Sequence, residues 1–338
     1  MTSFLRLASA FVILLLAACG RAPDDSPQLV VYTARAEHLI QPLLLRYAEE
    51  TGTSVRFVTD KAGPLLARLA SEGETTEADV LITVDAGNLW QAAEQGLLQA
   101  IDSPVLSANV PAHLRDPEGR WYGLSLRARA VVHSTERVDP SLLDSYAGLA
   151  DPRWQGRLCL RTSKEVYNQS LVAALIAHQG EGATETMVRG WVENLAAPPF
   201  ASDTQVIEAI AAGQCDVGLV NTYYLGRLQR ERPGLPVALF WPDQAAGQHG
   251  AHVNVSGAGV TRHAPRPEAA RAFIEWLSAG EAQQLFAALN LEYPVNPDVS
   301  VDPLVAAWGE FRADSVNLRV AGENQAAAVR LMDRAGYR

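Results

Sequence analysis

Tyrosines, arginines and hydroxyl-bearing residues recur in this sequence just past short apolar, β-branched runs. Tyr32-Thr33-Ala34-Arg35 follows the first such run, Asp85 a later one, Arg161-Thr162-Ser163 with Tyr167 another, and Tyr223-Tyr224 another again. Ionised phenols are hard, anionic oxygen donors, suited to a small, highly charged cation and not to a soft metal. Any three phenolates drawn from Tyr32, Tyr167, Tyr223 and Tyr224 would neutralise a trivalent ion. A free phenol ionises only near pH ~10, so a phenolate at neutral pH needs a strong cation beside it. Capture should therefore release protons, and acid should weaken it. Arg35, with Arg127 or Arg129, offers paired donors to a small anion such as carbonate beside the metal. Ser163 adds a hydroxyl, Asn221 stands two residues ahead of Tyr223 as a further neighbour of the metal or its anion, and Glu37 and Asp85 are the carboxylates available as an additional ligand.

Each of these residues also has a plainer reading. A tyrosine after a strand usually buries its ring and leaves its hydroxyl at the edge, and Tyr32 and Tyr122 are read that way. Tyr223 and Tyr224 would face opposite sides of a continuing strand, so a turn or helix start is needed to aim both into one cleft. Glu37 and Asp85 fit helix caps or first-turn acids. Arg127 and Arg129, two apart on an extended stretch, fit structural ion pairs. His38, His178 and His249 have no metal-ligand spacing around them. Zinc-protease, paired-cysteine, phosphate-loop and serine-elbow signatures are missing, and no nucleophile and base stand out, so the chain reads as a binder and not an enzyme. A formal net charge of -10 argues against nucleic acid as a partner.

The elements that must position these side chains alternate in type. Apolar runs at 29–32, 55–58 and 80–83 read as strands, and helical stripes over 37–50, 65–71 and from Leu89 to Gly96 separate and follow them. The middle repeats the style, with strands at 130–133, 158–160 and 216–220 and helices over 169–178, 185–195 and 204–212. A strand over 252–260 precedes helices at 267–278 and 281–290, and the tail reads as helices near 304–311 and 323–335. Such alternation predicts an α/β protein with largely parallel sheets covered on both faces. Ligands gather beyond the carboxyl ends of the strands in open sheets of this kind.

The first eighteen residues place Arg6 ahead of an apolar run, the layout of a secretory signal peptide. The run is too short to span a bilayer, which needs about 20 apolar residues. Leu16-Ala17-Ala18-Cys19 resembles a bacterial lipobox, which makes Cys19 the expected lipidation site, residues 1–18 a signal and 19–28 a tether. The chain beyond the tether is too long for one ordinary core. Two lobes are expected, 29–126 with 251–301 and 127–250 with 302–338, the chain crossing between them more than once. Cys159 and Cys215 are either a disulfide or two buried thiols in neighbouring strands.

Several longer stretches resemble one family. They are Val31-Tyr32-Thr33-Ala34-Arg35, Thr83-Val84-Asp85-Ala86-Gly87-Asn88-Leu89, Tyr122-Gly123-Leu124-Ser125, the run from Arg161 through Tyr167-Asn168-Gln169-Ser170, and Val220-Asn221-Thr222-Tyr223-Tyr224. From Leu29 to the C-terminus the chain resembles the periplasmic ferric-ion-binding proteins of ABC importers, which have the type 2 periplasmic-binding-protein fold. The resemblance implies two mixed, mostly parallel lobes joined by hinge strands, Fe3+ coordinated by Tyr167, Tyr223 and Tyr224, and Arg35 near the metal or its anion. It also implies a monomer whose partners are a permease and its ATPase. Some members add a histidine or tyrosine where this chain has Ala36 and Glu37, which leaves carbonate, water, Glu37 or Asp85 to complete the metal's surroundings; an anion held by arginine is favoured. Within the same class, a phosphonate, polyamine or oxyanion receptor is the alternative, and outside it a sensor lipoprotein that does not transport.

Overall fold

The computed structural model describes residues 28–338; the expected signal, Cys19 and nearly all of the tether lie outside the described residues. The first half opens with β1 (Leu29–Thr33), α1 (Glu37–Thr51), β2 (Val55–Thr59), α2 (Ala62–Glu72), β3 (Val80–Thr83), α3 (Ala86–Glu94) and α4 (Pro104–Asn109). Every side chain of β1 and β3 is buried, as unbroken apolar runs inside a helix-covered sheet should be. Helix α1 stops at Gly52, whose left-handed conformation (φ 72°) lets the last turn close on the Ala48 carbonyl. Tyr32 and Tyr122 are buried, with their hydroxyls donating to Glu72 and to the Ile101 carbonyl, as the core reading expects.

A single long strand, β4 (Tyr122–Ser134), carries the chain out of this half. Its early part pairs with the later strands β8 (Val253–Val260) and β9 (Tyr293–Pro294), and its late part with β6 (Val217–Asn221) and β7 (Val237–Phe240). Sequence reasoning sees only its last third, at 130–133. Ser125, Arg127 and Arg129 interrupt the apolar pattern, yet all are buried, because other residues supply polar partners for each of them.

Between these strands come β5 (Leu158–Cys159), α5 (Val166–Glu193), α6 (Asp203–Ala211) and, after β6, α7 (Thr222–Glu231). Helix α5 covers both helices expected over 169–195 and is broken at Gly180 (φ 80°, ψ 166°). The remainder is α8 (Pro267–Leu277), α9 (Gly280–Ala288), α10 (Pro303–Ala306), α11 (Val320–Glu323) and α12 (Gln325–Arg334). The helix expected near 304–311 is thus a single short turn, and the one expected over 323–335 is divided at Asn324. Among the described residues, pairing is parallel for β1 with β2 and β3 and for β5 with β6. Pairs involving β8, and the pairs of β4, run antiparallel because these strands carry the chain between halves.

Apolar packing follows the same division. One core gathers β1, β3, α1 to α3, α8 and the early part of β4. Separate cores lie around α5 with α12, and around α6 with β6 and α7. Cys159 and Cys215 form a disulfide across the β5–β6 edge, with Cα atoms 6.0 Å apart and a sequence separation of 56. Closing a loop of that length removes unfolded-state freedom worth about 4 kcal/mol. The double change Cys159→Ser, Cys215→Ser should lower unfolding stability by about that amount in denaturant melts. A melt unchanged by this pair, or by reductant, would show that the bond contributes nothing.

Candidate metal centre

Two helix starts build the site. Tyr167 lies in the first turn of α5 and Tyr223 and Tyr224 in the first turn of α7. Because the chain turns helical at Thr222, the two adjacent tyrosines are not sent to opposite faces as they would be in a strand, and their ring centroids lie 4.4 Å apart. A helix N-terminus presents partial positive charge, which favours an ionised oxygen there. Tyr223 is 4% exposed. Burial pushes its phenol well above the usual value near 10, and neighbouring Tyr167 and Tyr224 push the same way. Burial also raises Tyr167, against the pull of Arg127. Tyr167 and Tyr223 lie close enough that each shifts the other's ionisation. Without a cation, these phenols hold their protons at neutral pH.

Arginines surround the rings. The Arg127 and Arg161 guanidinium carbons each lie 5.5 Å from the Tyr167 ring centre, and Arg161 Nη1 donates to the Tyr224 hydroxyl oxygen at 3.4 Å. Arg227 stands 5.2 Å from the Tyr223 ring and 5.8 Å from that of Tyr224. No role for Arg161 or Arg227 is evident from the sequence alone. A signal for Arg227 is nonetheless present there, since it follows the tyrosine pair at the three- and four-residue spacing that stacks side chains on one helix face.

Arg35 and Arg127 meet at one hydroxyl. Arg35 Nη1 donates to Ser256 Oγ at 2.7 Å, and Arg127 Nη2 donates to the same oxygen. Arg35 Nε and Nη2 and Arg127 Nε are buried with no protein partner. Glu292, absent from the sequence candidates, lies against Arg35 at 3.2 Å, with both side chains 1% exposed.

The other candidates separate. Arg129 is not with Arg35 and Arg127. It pairs with Asp203 at 3.0 Å and donates to Asn168 and Asn221, bracing the backbone behind Tyr167 and Tyr223, which is the structural ion pair anticipated as its plainer reading. Asn221 touches the site itself, donating to the Tyr223 hydroxyl at 3.4 Å. Ser163 borders a surface groove with Lys164, Gln169, Tyr337 and Arg338, and among the described residues no side-chain hydrogen bond joins it to the tyrosines. Glu37 is exposed in the first turn of α1. Asp85 caps α3: one oxygen accepts from Gly87 N at 2.7 Å and the other from Ser170 Oγ at 2.9 Å and Asn254 Nδ2 at 2.8 Å. Burial lifts its carboxyl to about 6 against these donors. Its lone pairs are committed within the protein, which fits the cap and not a ligand. His178 pairs with Asp314 and stacks on His249 in a separate cluster.

This fold falls within a known class: the chain belongs to the bacterial extracellular solute-binding protein family, which matches residues 76–312. The family is one of substrate-binding transport proteins and not of enzymes. The chain is similar to Iron uptake protein A1 of Synechocystis, with 40% identity over 99% of this chain and 98% of that one. Among solved structures it is similar to the Trichodesmium protein IdiA (FutA) in complex with iron and citrate, at 41% identity and a TM-score of 0.88, covering 92% of this chain and 100% of that one. It is also similar to ferric iron-binding protein A of Mannheimia haemolytica in an open conformation, at 35% identity and a TM-score of 0.85, covering 92% and 99%. The fold is accordingly the two-lobed, mixed-sheet architecture expected from the sequence, except that among the described residues antiparallel pairs outnumber the parallel ones expected to predominate, because β4 and β8 cross between the halves.

Proposed function

We propose that this chain is the extracytoplasmic receptor of an iron importer, binding ferric iron through the oxygens of Tyr167, Tyr223 and Tyr224. The observation that carries this reading is the meeting of three phenols, from two helix starts far apart in sequence, at one place lined by buried arginines. Iron is the cargo. Its charge replaces the three phenol protons, and the unpartnered N–H groups of Arg35 and Arg127 face a small anion such as carbonate beside it.

The lobes are taken as 29–126 with 251–301 and 127–250 with 302–338. Closure turns on the crossing strands β4 and β8, a hinge motion of the kind that brings two lobes over a ligand. The Asp85–Ser170 hydrogen bond then joins α3 of one lobe to α5 of the other, one turn along from Tyr167. After removal of a signal over 1–18, a lipid on Cys19 would hold the monomeric receptor at the membrane, where a permease with its ATPase accepts the closed form. A phosphonate, polyamine or oxyanion receptor would leave the tyrosine cluster without a role.

Titrating the purified chain with ferric iron in bicarbonate buffer should develop a visible phenolate-to-iron charge-transfer band that saturates at one iron per chain. A saturated but colourless complex would rule out phenolate coordination.

A further inference from the structure

Two guanidinium groups buried against one hydroxyl repel each other, and leaving both uncompensated away from water is costly. Arg35 is 2% exposed and Arg127 3%, and they share Ser256 Oγ. Among the described residues, the one carboxylate hydrogen-bonded to this pair is Glu292, on the turn between α9 and β9. Its Oε2 accepts from Arg35 Nη1 at 3.2 Å and from Ser125 Oγ, and its Oε1 accepts from Asn290 Nδ2. Burial alone would raise its carboxyl, yet Arg35, Arg127 and these donors together hold it below its usual range. Asp85 is spent on its own donors, and Arg227 lies against the tyrosine rings with its Nη2 donating to Asn290.

We propose that Glu292 is a resident anion of the cleft: it occupies Arg35, cancels one of the two buried guanidinium charges, and so sets how much negative charge the site takes from solution along with its metal. The inference rests on the iron reading above. It assigns Glu292 a role in anion selection, with Arg127 carrying the uncancelled charge and the free N–H groups of both arginines left to hold the outside anion. Asn290 ties the same carboxylate to Arg227 and thereby to the tyrosine helix α7.

The test is the bicarbonate concentration giving half-maximal iron colour, measured on the full mature chain in bicarbonate-depleted buffer. Glu292→Gln should lower it by about tenfold or more, since one unit charge about 4 Å away corresponds to about fivefold in water and about 1000-fold in a protein-like dielectric. Arg35→Gln should raise it, because Glu292 is then free to compete at Arg127. The double variant should return near the parent. Should Glu292→Gln alone fail to fold, comparing Arg35→Gln with the double variant reads the same effect. Equal bicarbonate dependence with and without Glu292, including none in either, overturns the proposal. A parent that binds iron without colour instead overturns the phenolate reading and leaves the pairing of Glu292 with Arg35 untouched.

Discussion

Tyr224→Phe is expected to weaken ferric binding by well over 100-fold while leaving the fold intact. Removing an outer partner of a metal ligand typically costs about 10- to 100-fold, and this change removes a ligating oxygen together with its negative charge. Phenylalanine keeps the ring, so the 4.4 Å packing against Tyr223 and the position beneath Arg227 survive. Tyr223→Phe should behave alike, and here the ring matters more, since Tyr223 packs with Leu291 and Val305 in a small core of its own. Alanine at either position would confuse a lost ligand with a cavity. The measurement is iron titration by colour beside a thermal melt. Parent-like affinity in Tyr224→Phe would remove that residue from the ligand set.

Acid should strip the metal steeply. Burial holds Tyr223 well above its ordinary ionisation range and Tyr167 above it as well, so the empty protein carries these protons and the loaded one does not. The form richer in protons is favoured as pH falls, so lower pH favours the empty cleft. With three phenolates formed on binding, apparent affinity should drop by up to about 1000-fold for each pH unit in the neutral range. Proton release on loading, followed with an indicator dye, should approach three per iron from the phenols, with one more where bicarbonate binds as carbonate. Each tyrosine-to-phenylalanine change should reduce that number by one. Release of a single proton would mean that two of the hydroxyls are not ligands.

Much of this site is legible in the sequence because its groups follow strand ends, where apolar periodicity stops and chemistry begins. Tyr167 and the Tyr223-Tyr224 pair stand out that way, as do the cap at Asp85 and the ion-pair reading of Arg129. Glu292 does not, because it lies on a short turn before a two-residue strand, where no period marks it. Its meaning comes only from Arg35, 257 residues earlier. Strand β4 reads too short for a related reason. A buried guanidinium reads as surface until its partners are known, and those of Arg127 and Arg129 come from β8, α5, α6 and β6. Ser163 shows the converse, a residue near Tyr167 in sequence whose side chain borders a separate surface groove.

All of the candidate ligand oxygens belong to α5 and α7, helices packed in the same half of the molecule, while Arg35 and Glu292 come from the other. Cargo would ride on one jaw. On the proposed reading, spreading the jaws would lift the arginine and its carboxylate away but leave the phenolate–metal bonds in place, so opening by itself would unload nothing. Discharge would then call for a proton supply, a reductant or a rival chelator.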